Sequence, residues 1–83
     1  MELFEEFLRD QVPGVGRHTL ETVQADQTDS SRQFRELNFN LFDVGINYVS
    51  GTVSIEEVCS PCREQVVALA TFLTALEPYR NRV

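Results

Sequence analysis

Residues 34–42, Phe-Arg-Glu-Leu-Asn-Phe-Asn-Leu-Phe, alternate between apolar and polar side chains and decide the fold class. Successive side chains of a β-strand point to opposite faces of its sheet. The stretch therefore predicts a strand with one face towards the core and one polar face. The apolar set is Leu37, Phe39 and Leu41, and the polar set is Glu36, Asn38 and Asn40.

Shorter strands follow this one. Asp43-Val44-Gly45 predicts a tight turn with a positive φ at the glycine, and residues 46–49 predict the return strand. Ser50-Gly51 predicts a second turn, and residues 52–58 predict another strand with Val53 and Ile55 on one face. Because connections this short cannot hold a parallel crossover, we expect an antiparallel meander.

Helical patterns flank these strands. Residues 2–11 predict a short helix with an apolar stripe, and the proline and two glycines of residues 12–16 predict its end. Residues 17–24 are compatible with a strand or with one or two helical turns, and their β-branched residues favour the strand; residues 25–31 predict a polar loop. A second helix is predicted from Pro61, with Ser60 as its N-cap, to the residue before Pro78. Its apolar stripe is Cys62, Val66, Leu69, Leu73 and Leu76.

These elements predict one α+β domain over residues 1–83. Its core is an antiparallel β-meander of three to four strands. A short N-terminal helix and a longer C-terminal helix flank the sheet, and the C-terminal helix packs on one sheet face. A chain of 83 residues buries a small core, so self-association as a homodimer is also expected.

The net charge of −6 excludes the basic face that nucleic acids and anionic membranes require. No apolar run reaches the length of about 20 residues that spans a bilayer, and the acidic N-terminus lacks the positive region of a signal peptide. The expected compartment is therefore the cytoplasm. Two cysteines, three residues apart, are too few and too close for a secreted disulfide framework.

Cys59-Ser60-Pro61-Cys62 resembles the redox motif of thioredoxin-type oxidoreductases, including the proline before the second cysteine. The resemblance covers these four residues and implies a redox role for both thiols. A helix N-terminus after the motif would stabilise a thiolate. Metal binding is an alternative, either with His18 and a carboxylate or with four cysteines from two chains around one zinc ion. In a third interpretation Cys62 is a small hydrophobe on the apolar stripe of its helix.

The remaining candidate residues are surface groups for a protein partner. Acidic residues of the first helix and polar residues of the sheet could dock a basic partner, or they could simply be solvated. They are Glu2, Glu5, Glu6, Asp10, Glu36, Asn38 and Asn40. The preferred function is a small, acidic, non-enzymatic interaction module, such as an inhibitor, an immunity protein or a chaperone-like adaptor, with no cofactor. The alternative is a thiol-dependent redox or metal-binding protein that uses Cys59 and Cys62.

Overall fold

The computed structural model describes residues 2–58 and 63–79 of the chain. Within them, the helices are α1 (Leu3–Asp10), α2 (Val12–Gln27) and α3 (Leu69–Leu76), and a 3₁₀ turn follows at Glu77–Tyr79. The strands are β1 (Phe34–Asn38), β2 (Phe42–Asn47), β3 (Thr52–Glu57) and β4 (Glu64–Ala68). None of the helices in this part of the chain is long and apolar enough to cross a membrane.

The strands form one antiparallel sheet in the order β1-β2-β3-β4. This arrangement confirms the predicted α+β class and the meander. Ser50-Gly51 forms the turn predicted between β2 and β3, and Gly51 has a φ of +71°. Such a backbone conformation favours glycine because it has no Cβ atom. The Asn47 side chain supports the turn by accepting hydrogen bonds from the backbone N–H groups of Val49 and Ser50 at 2.9 and 3.0 Å.

The core lies between the helices and one face of the sheet. Val53 and Ile55 are fully buried there, as predicted for one face of that strand. The predicted stripe of the first helix also contributes, with Phe7 stacked on Phe72 of α3 at a centroid distance of 6.2 Å. The buried apolar residues are Leu3, Phe4, Phe7, Val12, Leu20, Val23, Phe42, Val44, Ile46, Val53, Ile55, Phe72 and Leu76.

The first helix ends at Asp10, close to the predicted end, but a new helix starts directly afterwards. Residues 12–16 are therefore helical, and the strand favoured for residues 17–24 is wrong, because α2 occupies both stretches. Pro13 lies in the first turn, where its missing N–H group costs no hydrogen bond. Gly16 serves close packing, since a Cβ atom there would lie 3.0 Å from Cβ of Tyr79. Leu20 and Val23 are buried at helical spacing, and burial of this face outweighs β-propensity. The helix also extends to Gln27, so the predicted polar loop starts later than expected.

The predicted helix from Pro61 to the residue before Pro78 is also wrong in its first half. Residues Glu64–Ala68 form β4, and α3 has eight residues, the same length as α1. The apolar spacing was ambiguous here because Val66 and Val67 are β-branched and fit a strand. Val66 is consequently 58% exposed instead of lying on a helical core stripe. Leu76 is buried as predicted.

The boundaries of the first two strands differ from the prediction as well. The strand expected over residues 34–42 ends at Asn38, and the backbone N–H of Phe39 bonds to the Phe42 carbonyl at 2.8 Å across a turn. The turn predicted at residues 43–45 and the return strand predicted at 46–49 are replaced by β2. The turn shifts the alternation by one residue, so Phe42 is buried and Leu41 is 52% exposed.

Candidate docking surface

One face of the sheet carries none of the described helices and is called the open face here. Because strand side chains alternate, its residues are those that alternate with the buried positions of β2 and β3 and with the half-buried positions of β1 and β4. They are Phe34, Glu36 and Asn38 in β1, Asp43, Gly45 and Asn47 in β2, Thr52, Ser54 and Glu56 in β3, and Glu64, Val66 and Ala68 in β4.

The strand register places carboxylates side by side on the open face. Asp43 pairs with Glu56, and Glu56 pairs with Glu64, so the three lie in a row across β2, β3 and β4. We call them the acidic row. Asn38 continues this row on β1, and its Nδ2 atom donates a hydrogen bond of 2.8 Å to Asp43 Oδ1. Glu36 lies two residues before Asn38 on the same face.

The register of the acidic row predicts a cost in stability for the isolated protein. Directly opposed side chains of an antiparallel pair have Cβ atoms about 4.5–5.5 Å apart, and like charges at that distance repel. Glu56 has such a neighbour on both sides. A sheet optimised for stability alone would place an arginine or a neutral residue at this central position.

The arginines that the structure describes lie elsewhere and are engaged there. Arg35 and Arg32 contact Asp26, and Arg63 contacts both Glu6 and Glu57. The two other described arginines, Arg9 and Arg17, are exposed on helices. They form ion pairs with Asp10 and Glu21, respectively. Within residues 2–58 and 63–79, the carboxylates of the open face therefore form no ion pair. Their negative charge faces solvent without a compensating cation from this part of the chain.

Apolar and small residues border the acidic row. Leu41 and Val58 are 52% and 46% exposed, and the Val58 N–H bonds to the Leu41 carbonyl at 3.1 Å. This bond continues the β2–β3 register, so the pair extends the open face by one step beyond the row. On the other side, Gly45 and Ser54 leave a shallow depression of about 210 Å³, which Phe34 and Glu36 also line. The open face thus combines charge with accessible apolar surface.

Two of the four candidates predicted for the first helix, Glu6 and Asp10, form ion pairs within the chain. Glu6 accepts two hydrogen bonds from Arg63, which hold the pKa of this carboxyl below its usual value. The pKa of Asp10 is lowered by its hydrogen bond from Arg9. Glu2 accepts a hydrogen bond of 3.1 Å from Gln65, and Glu5 is exposed. The structure therefore does not gather these four residues into one unpaired anionic surface.

Among the candidates on the sheet, Glu36 and Asn38 lie on the open face. Asn40 is exposed in the turn between β1 and β2. Sequence reasoning did not include Asp43, Glu56 or Glu64 among the candidates. The signal for them is the alternation within each strand, which becomes informative only when residues 64–68 are recognised as a strand and the register is known.

Cys59 and Cys62 lie outside the described residues, so their redox and metal roles stay predictions. The flanking residues show where the motif stands in the chain. The Glu57 N–H bonds to the Arg63 carbonyl at 2.8 Å, and β4 begins at Glu64. The expected order of strand, motif and helix is therefore wrong, and the argument from a following helix dipole does not apply. His18 is exposed on α2, and the described residues hold no cluster of three metal-binding side chains.

A buried polar network anchors α2 to the sheet. Asp26 is 6% exposed and accepts two hydrogen bonds of 2.7 Å from Arg35 and one of 2.8 Å from the Tyr48 hydroxyl. The Arg35 guanidinium, more than the Tyr48 hydroxyl, lowers the pKa of Asp26 to about 2 against the opposing effect of burial. Burial and the bond to Asp26 raise the pKa of Tyr48. This network is structural, because its polar groups satisfy one another.

Comparison with known proteins adds no assignment to this geometry. No family model, curated protein or solved structure matches the chain. The open face and the charges that the fold places there are therefore the features that bear on function.

Proposed function

We propose that this chain is a small, non-enzymatic interaction module that binds a basic protein through the open face of its sheet. The class covers inhibitors, immunity proteins and chaperone-like adaptors. The observation that carries the proposal is the acidic row of Asp43, Glu56 and Glu64, which the strand register places side by side while the described arginines are paired elsewhere. As part of the same proposal, we place the protein in the cytoplasm, in keeping with its low cysteine content.

A basic partner turns the internal repulsion into attraction. Each lysine or arginine placed above the acidic row contacts two neighbouring carboxylates, so the charge that destabilises the free sheet stabilises the complex. The negative field of the face also increases the rate of encounter with a basic protein. Because exposed charges are screened by salt, affinity should fall as ionic strength rises.

The same charges argue against other occupants of this face. Two copies of the chain that met face to face would bring two acidic rows together, which opposes a homodimer through this surface. Phosphates of nucleic acids or anionic lipids would be repelled in the same way. Self-association through another surface stays a separate prediction from the small size of the core.

The test compares two doubly neutralised variants as baits in affinity capture from the source lysate. Glu56→Gln/Glu64→Gln removes two charges from the acidic row, and Glu5→Gln/Glu21→Gln removes two exposed charges from the helices. Net charge and size are therefore matched. We expect the wild-type protein and the helix variant to retain the same basic partner at low salt, and the row variant to lose it. Equal capture by both variants would contradict the proposal.

A further inference from the structure

We infer that the element which binds the acidic row is an α-helix whose basic residues recur at positions i, i+3 and i+7. This inference rests on the proposed function and specifies the partner's secondary structure. It follows from the spacing of the carboxylates, which the sheet fixes, and from the shape of the surface on either side of them.

The acidic row runs across the strands, so its carboxylates are spaced by the distance between neighbouring strands. Neighbouring strands are about 4.8 Å apart, so Glu56 lies about 4.8 Å and Glu64 about 9.6 Å from the position of Asp43. On a helix, residues i+3 and i+7 share a face with residue i and follow it by about 4.5 and 10.5 Å. An extended segment places same-face residues about 6.6 and 13 Å from the first. Cations at i, i+3 and i+7 of a helix can therefore lie opposite all three carboxylates, whereas cations on one face of an extended segment can lie opposite fewer.

The width of the open face also suits a helix. A helix with its side chains is about 10–12 Å across, whereas rows of the sheet follow each other about 6.7 Å apart along a strand. A helix above the acidic row therefore reaches the exposed pair of Leu41 and Val58 on one side. On its other side it reaches the depression of about 210 Å³ beside Gly45, which has no side chain, and Ser54, which has a small one. A basic helix with aliphatic residues beside its cations would fill both places.

The experiment uses the whole protein and two synthetic alanine-rich peptides of identical composition. In the first peptide, arginines stand at i, i+3 and i+7, with leucines on the adjoining stripe. In the second, the arginines stand at i, i+2 and i+4, which matches an extended segment and leaves only two of the three on one face of a helix. Binding is followed at low salt through the amide NMR shifts of the ¹⁵N-labelled protein, with Glu56→Gln/Glu64→Gln as the control.

We expect the first peptide to bind more tightly than the second by up to about fivefold, the upper end of what one additional surface ion pair gives. Its shifts should map to residues of the acidic row and to Leu41 and Val58, and the control variant should abolish them. Equal affinities, or tighter binding of the second peptide, with shifts still on the open face would overturn the helix inference and leave the docking face intact. If neither peptide shifts the open face, the proposed function itself fails.

Discussion

Replacement of Glu56 by Gln should stabilise the free protein while it weakens the complex. Glu56 is the centre of the acidic row, with Asp43 on one side and Glu64 on the other. Carboxylates about 6 Å apart repel by about 0.7 kcal/mol in water, and screening at physiological ionic strength reduces this to about 0.3 kcal/mol per pair. The substitution removes both repulsions, so the free energy of unfolding should rise by about 0.6 kcal/mol.

Urea denaturation measures this change directly. For a domain of this size, with a slope near 1 kcal/mol per M, the midpoint should rise by about 0.6 M at unchanged slope. In 1 M salt the Debye length is about 3 Å, so most of the gain should disappear. Glu5→Gln is the matched control, because it removes a charge from the first turn of α1, where the helix dipole favours anions, and it should be neutral or slightly destabilising. An unchanged or lower midpoint for Glu56→Gln, or a gain that persists in 1 M salt, would refute the reasoning.

The other predictions concern the buried network and the thiols. Asp26→Asn should lower the free energy of unfolding by about 2–3 kcal/mol in urea denaturation, because it removes the buried carboxylate to which an arginine and a tyrosine are bonded. Acid should have a related effect: the pKa of Asp26 is about 2 in the fold against 3.8 for the free side chain, so its contribution is complete above about pH 4 and falls towards pH 2. A pH series of thermal melts, in which the slope below pH 4 is smaller for Asp26→Asn than for the wild-type protein, would bear this out. Cys59→Ser/Cys62→Ser should leave partner capture unchanged, and loss of capture would transfer the function to the thiols.

The fold class could be predicted because several local signals agreed. The alternation in residues 34–38, the Ser50-Gly51 turn and the buried pair of Val53 and Ile55 all indicated short antiparallel strands. The apolar stripe of residues 3–8 indicated the first helix. Each signal lies within a few residues of the chain, so no knowledge of tertiary packing was needed.

The elements that were wrong depend on contacts between distant residues. Gly16 favours a break when it is considered alone, but in the fold it allows α2 to pack closely against Tyr79. The apolar side chains of residues 64–68 fit the spacing of a helix as well as the alternation of a strand. Pairing with β3 stabilises the strand. Local propensity is a weak guide in both cases because burial against another element outweighs it.

The acidic row was invisible to sequence reasoning for the same reason. Its members come from three different strands, and Glu64 appeared to belong to a helix. Glu56 and Glu57 are adjacent in β3 and lie on opposite faces of the sheet, where their surroundings differ. Glu57 is bound by Arg63, whereas Glu56 faces the open side beside two other carboxylates.

This difference between adjacent glutamates is the strongest argument that the open face serves a partner. The fold places arginines against carboxylates on the helix-bearing side, where Arg35 meets Asp26 and Arg63 meets Glu57. If solubility alone explained the acidic residues, their charges would be spread over the surface and not aligned where they repel. A single neutral residue at position 56 would remove the repulsion at once. An opposite effect of Glu56→Gln on stability and on binding would therefore separate a docking surface from a merely solvated one.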